Sequence, residues 1–216
     1  MLRTLALCCG LLALPTLASA EVELSFYGGA QSAPASDVVI RGDSVIQPDM
    51  DFSQSWEGRS ASAPIYYGIR VTRWQSPIFG FGLDLAHNKI YPKDDVLPTG
   101  FSELEFTDGL NTLTVNAYRR WPNMLGDVTP YVGGGLGLAI PHVEVTHGAS
   151  ETFGYQLTGP AATWIAGARY PISAQWSVFG EYKGTFTSNK GDLDTGGTIE
   201  TDVFTNAVNV GVSFNF

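Results

Sequence analysis

The last nine residues alternate without exception. Val208, Val210, Val212, Phe214 and Phe216 interleave with Asn209, Gly211, Ser213 and Asn215. A period of two is the signature of a β-strand, whose successive side chains leave opposite faces. One face here is apolar and the other is polar or small. Two settings ask for that pattern. One is a soluble sheet covered on one side by a core. The other is a barrel wall that meets lipid outside and a crowded polar interior inside.

Seven more segments read the same way. The first runs from about Val22 to Ala30, with Val22, Leu24 and Phe26 on one face. The second runs from Ile65 to Trp74, with Ile65, Tyr67, Ile69 and Val71 outward and Arg70 and Thr72 inward. The third starts at Phe79, placing Phe79, Phe81, Leu83 and Leu85 outward and Gly80, Gly82 and Asp84 inward. The fourth ends near Arg120, with Leu113, Val115 and Ala117 opposed to Thr114, Asn116 and Tyr118. The fifth starts at Tyr131, where Val132, Leu136, Leu138 and Ile140 alternate with Gly133, Gly135 and Gly137. The sixth covers about Tyr155 to Tyr170. The seventh covers about Trp176 to Phe186, with Glu181 and Lys183 inward.

The connections decide between the two settings. Residues 75–78, 122–127 and 171–175 are short, whereas 31–63, 92–102, 144–154 and 187–202 are long and charged. Short turns at one end and long loops at the other are the outer-membrane arrangement. Aromatics flank each short turn: Trp74 and Phe79, Trp121 and Tyr131, Tyr170 and Trp176. Such rings collect at membrane interfaces. Residues 1–20 fit a cleaved signal peptide, with Arg3, an apolar run from Leu5 to Leu17, and Ala18-Ser19-Ala20 as the cleavage signal. The terminal Phe216 resembles the signal read by the barrel assembly machinery.

The expected fold is therefore all-β: an eight-stranded, antiparallel, up-and-down transmembrane β-barrel of residues 21–216, a monomer in the outer membrane of a Gram-negative bacterium. Such a barrel is only wide enough for side chains inside. Arg70, Asp84, Arg169, Glu181 and Lys183 are expected to pair there, because an unpaired buried charge is costly. No open pore is expected.

Both cysteines, Cys8 and Cys9, fall in the leader, so the mature chain has no thiol, disulfide or Cys-rich zinc site. Of 12 Lys and Arg, Arg3 is removed, leaving 11 against 21 Asp and Glu, a net charge of −10. That balance excludes nucleic acid as a partner. No G-x-S-x-G elbow, H-E-x-x-H helix or Walker loop occurs. The glycines at 133–135 and 137 sit inside a strand, and Asp192-x-Asp194 before Gly196-Gly197 reads as a tight acidic turn. What remains is a polar group at the outer ends of strands three to six: His87, Glu103, Glu105, Asp108, His142, Glu144 and His147. These include all three histidines of the chain. His142-x-Glu144 shares one strand face, so the two side chains can converge on one ion or substrate group.

Several segments resemble a family of alphaproteobacterial outer-membrane proteins known as lipid A oxidases. They are Glu23 to Gln31, Trp56 to Arg59, Tyr66 to Arg70, Leu104 to Asn111, Val115 to Pro122, Ile140 to Val145, Phe153 to Pro160 and Ser188 to Lys190. The resemblance implies a barrel that acts on lipid A of lipopolysaccharide. It implies oxidation of the proximal glucosamine to 2-aminogluconate by molecular oxygen, with release of hydrogen peroxide. A divalent or redox metal is the implied cofactor. Oxygen reacts slowly with a closed-shell sugar, and without cysteine or a flavin fold a His/carboxylate iron or copper site is the option left. His87, His142 and Glu144 are then the candidate metal ligands. Glu144, Glu105 and Asp108 are the candidate catalytic carboxylates, one of them taking the anomeric hydroxyl proton. The rival reading is a non-enzymatic structural or adhesin-like barrel with acidic loops, bridging lipopolysaccharide through divalent cations. Lipid A deacylation by a Ser/His/acid set ranks last, because no serine near His142 has the spacing it needs.

Overall fold

The computed structural model describes residues 21–216, without the side chains of Thr107 and Asp108; the expected signal peptide lies outside the described residues. Twelve strands follow in chain order: β1 (Glu21–Ser32), β2 (Ser36–Arg41), β3 (Met50–Gln54), β4 (Trp56–Glu57), β5 (Tyr67–Trp74), β6 (Phe79–Pro92), β7 (Phe101–Arg120), β8 (Thr129–His147), β9 (Ser150–Tyr155), β10 (Gly159–Pro171), β11 (Trp176–Asp192) and β12 (Thr198–Asn215). Eight of them, β1-β5-β6-β7-β8-β10-β11-β12, form an antiparallel ring. Pairing of β1 with β12, from Glu23 opposite Asn215 to Ser32 opposite Asn206, closes it. Closure leaves the wall no free edge, the condition for backbone that crosses lipid.

Every segment keeps the face order its alternation predicts. Leu136 and Val210, 73% and 70% exposed, stand on the lipid side, while Arg70, Asp84, Tyr118, Glu181, Lys183 and Asn209 are buried inside. The interior charges pair. Arg70 Nε donates to Asp84 Oδ2 at 2.8 Å, and both its terminal nitrogens donate to Glu181 at 2.9 Å. Asp84 Oδ1 also accepts from Tyr27 Oη at 2.9 Å and from Lys183 Nζ. Tyr131 and Asn209 donate to Glu181 at 2.7 and 3.2 Å. Two cations and two anions thus balance in the middle of the bore, while the expected fifth member, Arg169, pairs instead with Glu23 and Glu21 toward the short-turn end. A cavity of about 20 Å³ lies beside them, toward the short-turn end.

Glycines let this interior close. A Cβ on Gly133 would strike the Tyr118 ring, and one on Gly137 would strike the carbonyl oxygen of Leu113. Backbone cannot retreat from a neighbouring strand without breaking the ladder. Gly137→Val is therefore expected to abolish the heat-dependent gel shift of the folded barrel. Gly154→Ala, where nothing lies within 4 Å, is expected to leave it intact. Equal folding of both variants would refute this account of the inward glycines.

Two expectations need correction. Trp74 and Tyr131 are not interface rings. Both fall on the inward parity of their strands, where Trp74 lies 3.9 Å beneath the Arg120 guanidinium and Tyr131 binds Glu181. Phe79, Tyr170 and Trp176 do face out. The second correction concerns the long connections, three of which carry strand of their own, while 93–100 is a 3-10 turn and coil. Residues 31–63 hold β2, β3 and β4, residues 144–154 form the tip of a β8–β9 hairpin, and residues 187–202 carry the β11–β12 hairpin to Asp192 opposite Thr198. The sixth strand accordingly begins at Gly159, and β9 precedes it along the same partner β8.

The cause is a reversal of polarity along the wall. Below, inward positions are mostly polar, small or aromatic, with Ile165 and Phe179 among them. Above, the inward positions are Ile90, Leu104, Phe106, Leu110, Val143, Val145, Ile199 and Val203, which join Val38, Ile40, Ile46 and Trp56 in one apolar core. Outward neighbours such as Glu200 and Asp202 become polar at the same height. Once the wall leaves lipid it must bury its apolar face like any water-soluble sheet. The reversal marks where the membrane ends. Asp43 pins the top of this cap, accepting backbone bonds from Val45 and Ile46 at 2.7 and 2.8 Å and a hydroxyl bond from Thr195 at 2.5 Å.

Candidate functional site

Leu104, Phe106, Val143 and Val145 point into the cap core. Their chain neighbours Glu105, His142 and Glu144 therefore take the outward parity of the wall, above the lipid-facing Leu136 and Leu138, the carboxylates half-buried and His142 itself buried. Glu105 faces Glu144 across β7 and β8, and Glu144 faces Phe153 across β8 and β9. One transverse row thus reads Phe153, Glu144, Glu105. One step toward the membrane, His142 faces Tyr155.

Burial and the neighbouring Glu144 and Glu103 carboxylates push the Glu105 carboxyl up to about 7, against a smaller opposing pull from Arg59. A carboxyl at that value exchanges a proton near neutral pH, as a general base requires. Arg59 is held by Glu57 at 2.6 Å and by Asp95, and its guanidinium lies 4.9 Å from the centre of the Tyr91 ring. His142 is wedged edge-on between Phe153 and Tyr155, with centroids at 4.4 and 4.8 Å. Its Nδ1 is buried and has no hydrogen-bond partner.

His87 belongs to the neighbouring part of the wall. Its Nδ1 meets Asn111 Oδ1 at 2.9 Å, its ring stacks on Tyr67 at 5.2 Å, and its Nε2 is buried without a partner. Here β7 bulges: Glu105 and Leu110, five apart, face Glu144 and Pro141, three apart. The bulge arches over His87 with Gly109 at φ +98°, where a Cβ would strike the imidazole. The Asp108 side chain, also in the bulge, lies outside the described residues. His147 sits at the hairpin tip against Phe101.

The structure thus gathers Glu105, Glu144 and His142 on one outer patch. It leaves His87 two strands away on β6 and His147 at the tip. Among the described residues, no three His, Cys, Asp or Glu side chains form a group able to hold a metal ion. Sequence reading missed Phe153, Tyr155, Arg59 and Tyr91. The first two had a signal, since Phe153-x-Tyr155 carries the strand alternation back from the expected start of the sixth segment at Tyr155 into the 144–154 connection. Arg59 and Tyr91 meet only through the fold.

A family model for the outer membrane protein beta-barrel domain matches residues 4–216. The chain belongs to that family. Among solved structures it is similar to the outer membrane protein OprG of Pseudomonas aeruginosa, at 11% identity and a TM-score of 0.50, covering 91% of this chain and 95% of that one. It is also similar to Neisserial surface protein A, at 15% identity and TM-score 0.49, covering 90% and 97%. The N-terminal barrel domain of OprF from Pseudomonas aeruginosa gives 15%, 0.48, 91% and 97%. At 11% identity the likeness to OprG speaks for the fold alone. No curated protein matches the chain. This outer-membrane barrel turns its short connections to the periplasm, as such barrels do. The Glu105 patch then lies on the extracellular side, beyond the outward-facing Leu136 and Leu138 of β8.

Proposed function

We propose that this barrel modifies lipid A, oxidising the proximal glucosamine to 2-aminogluconate with molecular oxygen. The observation that carries the reading is the lateral row Phe153, Glu144, Glu105 with His142 beside it, set on the outside of the wall immediately above the lipid belt. A substrate anchored by acyl chains can present its sugar to that row without leaving the membrane. A plugged bore serves no transport of such a molecule. The near full-length resemblance to lipid A oxidases supports the choice of reaction.

Glu105 takes the proton of a free anomeric hydroxyl. The C1 hydrogen leaves with two electrons to oxygen, giving hydrogen peroxide and a lactone, and water opens the lactone to the acid. The sugar gains one oxygen atom overall. Phe153 and Tyr155 offer exposed aromatic surface beside the carboxylates. A redox metal, the cofactor the resemblance implies, would carry electrons from sugar to oxygen. His142 and Glu144, on one strand face beside Glu105, would be its donors, whereas His87 is held apart on β6 against Asn111 and Tyr67.

The test is to incubate the purified barrel under air with lipid A bearing a free anomeric hydroxyl, then follow mass and peroxide. The expected result is a product heavier by one oxygen and stoichiometric peroxide. His142→Ala is expected to abolish both while the heat-dependent gel shift persists, and a chelator is expected to do the same. No product from the unmodified protein would favour the structural or adhesin-like barrel.

A further inference from the structure

The periplasmic end holds four arginines, and they divide into two kinds. Arg120 and Arg169 turn inward and are neutralised by Glu21 and Glu23. Arg73 and Arg119 turn outward, are exposed, and form no ion pair among the described residues. They are diagonal neighbours around one aromatic pair. Arg73 faces Phe81 across β5 and β6, and Arg119 faces Phe79 across β6 and β7. The Phe79 and Phe81 rings pack edge to face at 4.8 Å. The Arg119 guanidinium is steadied 5.4 Å from the centre of the Trp121 ring. Directly above, on the same outward face, Val71, Leu83, Leu85 and Val115 are exposed.

The geometry points to a binding site for an anionic phospholipid of the periplasmic leaflet, its phosphate between Arg73 and Arg119 and its acyl chains along Val71, Leu83 and Val115. Two unpaired guanidiniums at headgroup level select negative charge, and their planar forks suit phosphate. The apolar column above them selects a lipid over a free anion. The aromatic floor fixes the depth, since such rings settle at the interface. In the extracellular crown, Arg59 and Lys190 are instead paired with carboxylates, Glu57 and Asp95 for the first and Glu200 for the second. The site is independent of the lipid A reading, because it lies in the other leaflet.

The experiment is native mass spectrometry of the barrel extracted from outer membranes, titrated with phosphatidylglycerol or with phosphatidylcholine. The unmodified protein is expected to hold phosphatidylglycerol in preference. Arg73→Gln and Arg119→Gln are each expected to weaken it about 5-fold, and the double variant about 30-fold, the effect of removing one or two basic side chains at an anionic surface. Arg41→Gln, on the extracellular side, is expected to change nothing. Should the double variant lose its heat-dependent gel shift, Arg73→Lys and Arg119→Lys decide. Both keep the charge and are expected to retain the lipid where the single Gln variants lose it. Equal affinity for the two lipids, or Gln variants that bind like the unmodified protein, would overturn the site.

Discussion

Asp84→Ala is expected to cost the folded barrel about 3–5 kcal/mol, the range for removing one partner of a buried ion pair. Asp84 is wholly buried and accepts from Arg70, Lys183 and Tyr27 at once. Without it, Glu181 is left to balance two cations, and Lys183, 1% exposed, has no carboxylate. Water cannot replace the partner, because the bore is packed at that level. The measurement is the denaturant midpoint of the barrel folded in lipid vesicles. The double variant Asp84→Ala with Lys183→Met is expected to recover much of the loss, since it removes the orphaned charge together with its partner. A single-variant cost under about 1 kcal/mol, the scale of an exposed pair, would show that water reaches the cluster and that the bore is open.

That cluster was legible from alternation alone. Arg70, Asp84, Glu181 and Lys183 each fall on the polar parity of a strand whose other parity is apolar, and lipid on one side leaves them nowhere else to go. The same reasoning failed where lipid stops. In β12 the inward series runs Ile199, Thr201, Val203, Thr205, Ala207, Asn209, while the outward series runs Glu200, Asp202, Phe204, Asn206, Val208. The parity never changes, but its polarity does. Read against a membrane pattern, the upper residues look like loop, though they pair as regularly as those below. The cap therefore went unseen, and β2, β3 and β9 with it.

The candidate site suffered from the same blind spot in part. Glu105, His142 and Glu144 were visible as rare residue types near strand ends. Their mutual placement was not, because the bulge between Glu105 and Leu110 shifts β7 against both neighbours. A regular ladder would set His87 and the carboxylates in a different register. The bulge makes Glu105 the cross-strand partner of Glu144 and roofs His87 with Gly109. A bulge depends on a few backbone angles and leaves little trace in residue type.

The chemistry of the row then rests on Glu105, and its removal is the second large effect expected. Glu105→Gln keeps shape and removes the base, so turnover of lipid A is expected to fall by about 10²- to 10⁴-fold, the usual worth of a positioned general base. Folding is expected to survive. Gln carries no charge, so the crowding of Glu103, Glu105 and Glu144 is relieved, and the gel shift on boiling should persist. The pH profile separates this role from mere packing. A base must be ionised to work, so the rate is expected to rise with pH through about 7, the value burial and Glu144 impose on Glu105. The sign for stability is opposite: a raised carboxyl costs the fold most when ionised, above pH 7, and that cost fades as pH falls toward the ordinary carboxylate range. Glu144→Gln deletes a charge that raises Glu105, so its rising limb is expected to move to lower pH. Arg59→Gln deletes a charge that lowers it, so that limb is expected to move to higher pH. Two shifts of opposite sign from two neighbours are what Glu105 as the titrating group requires. Profiles unmoved by either substitution, with the reaction intact, would assign the proton to another residue. Full activity in Glu105→Gln would do so directly.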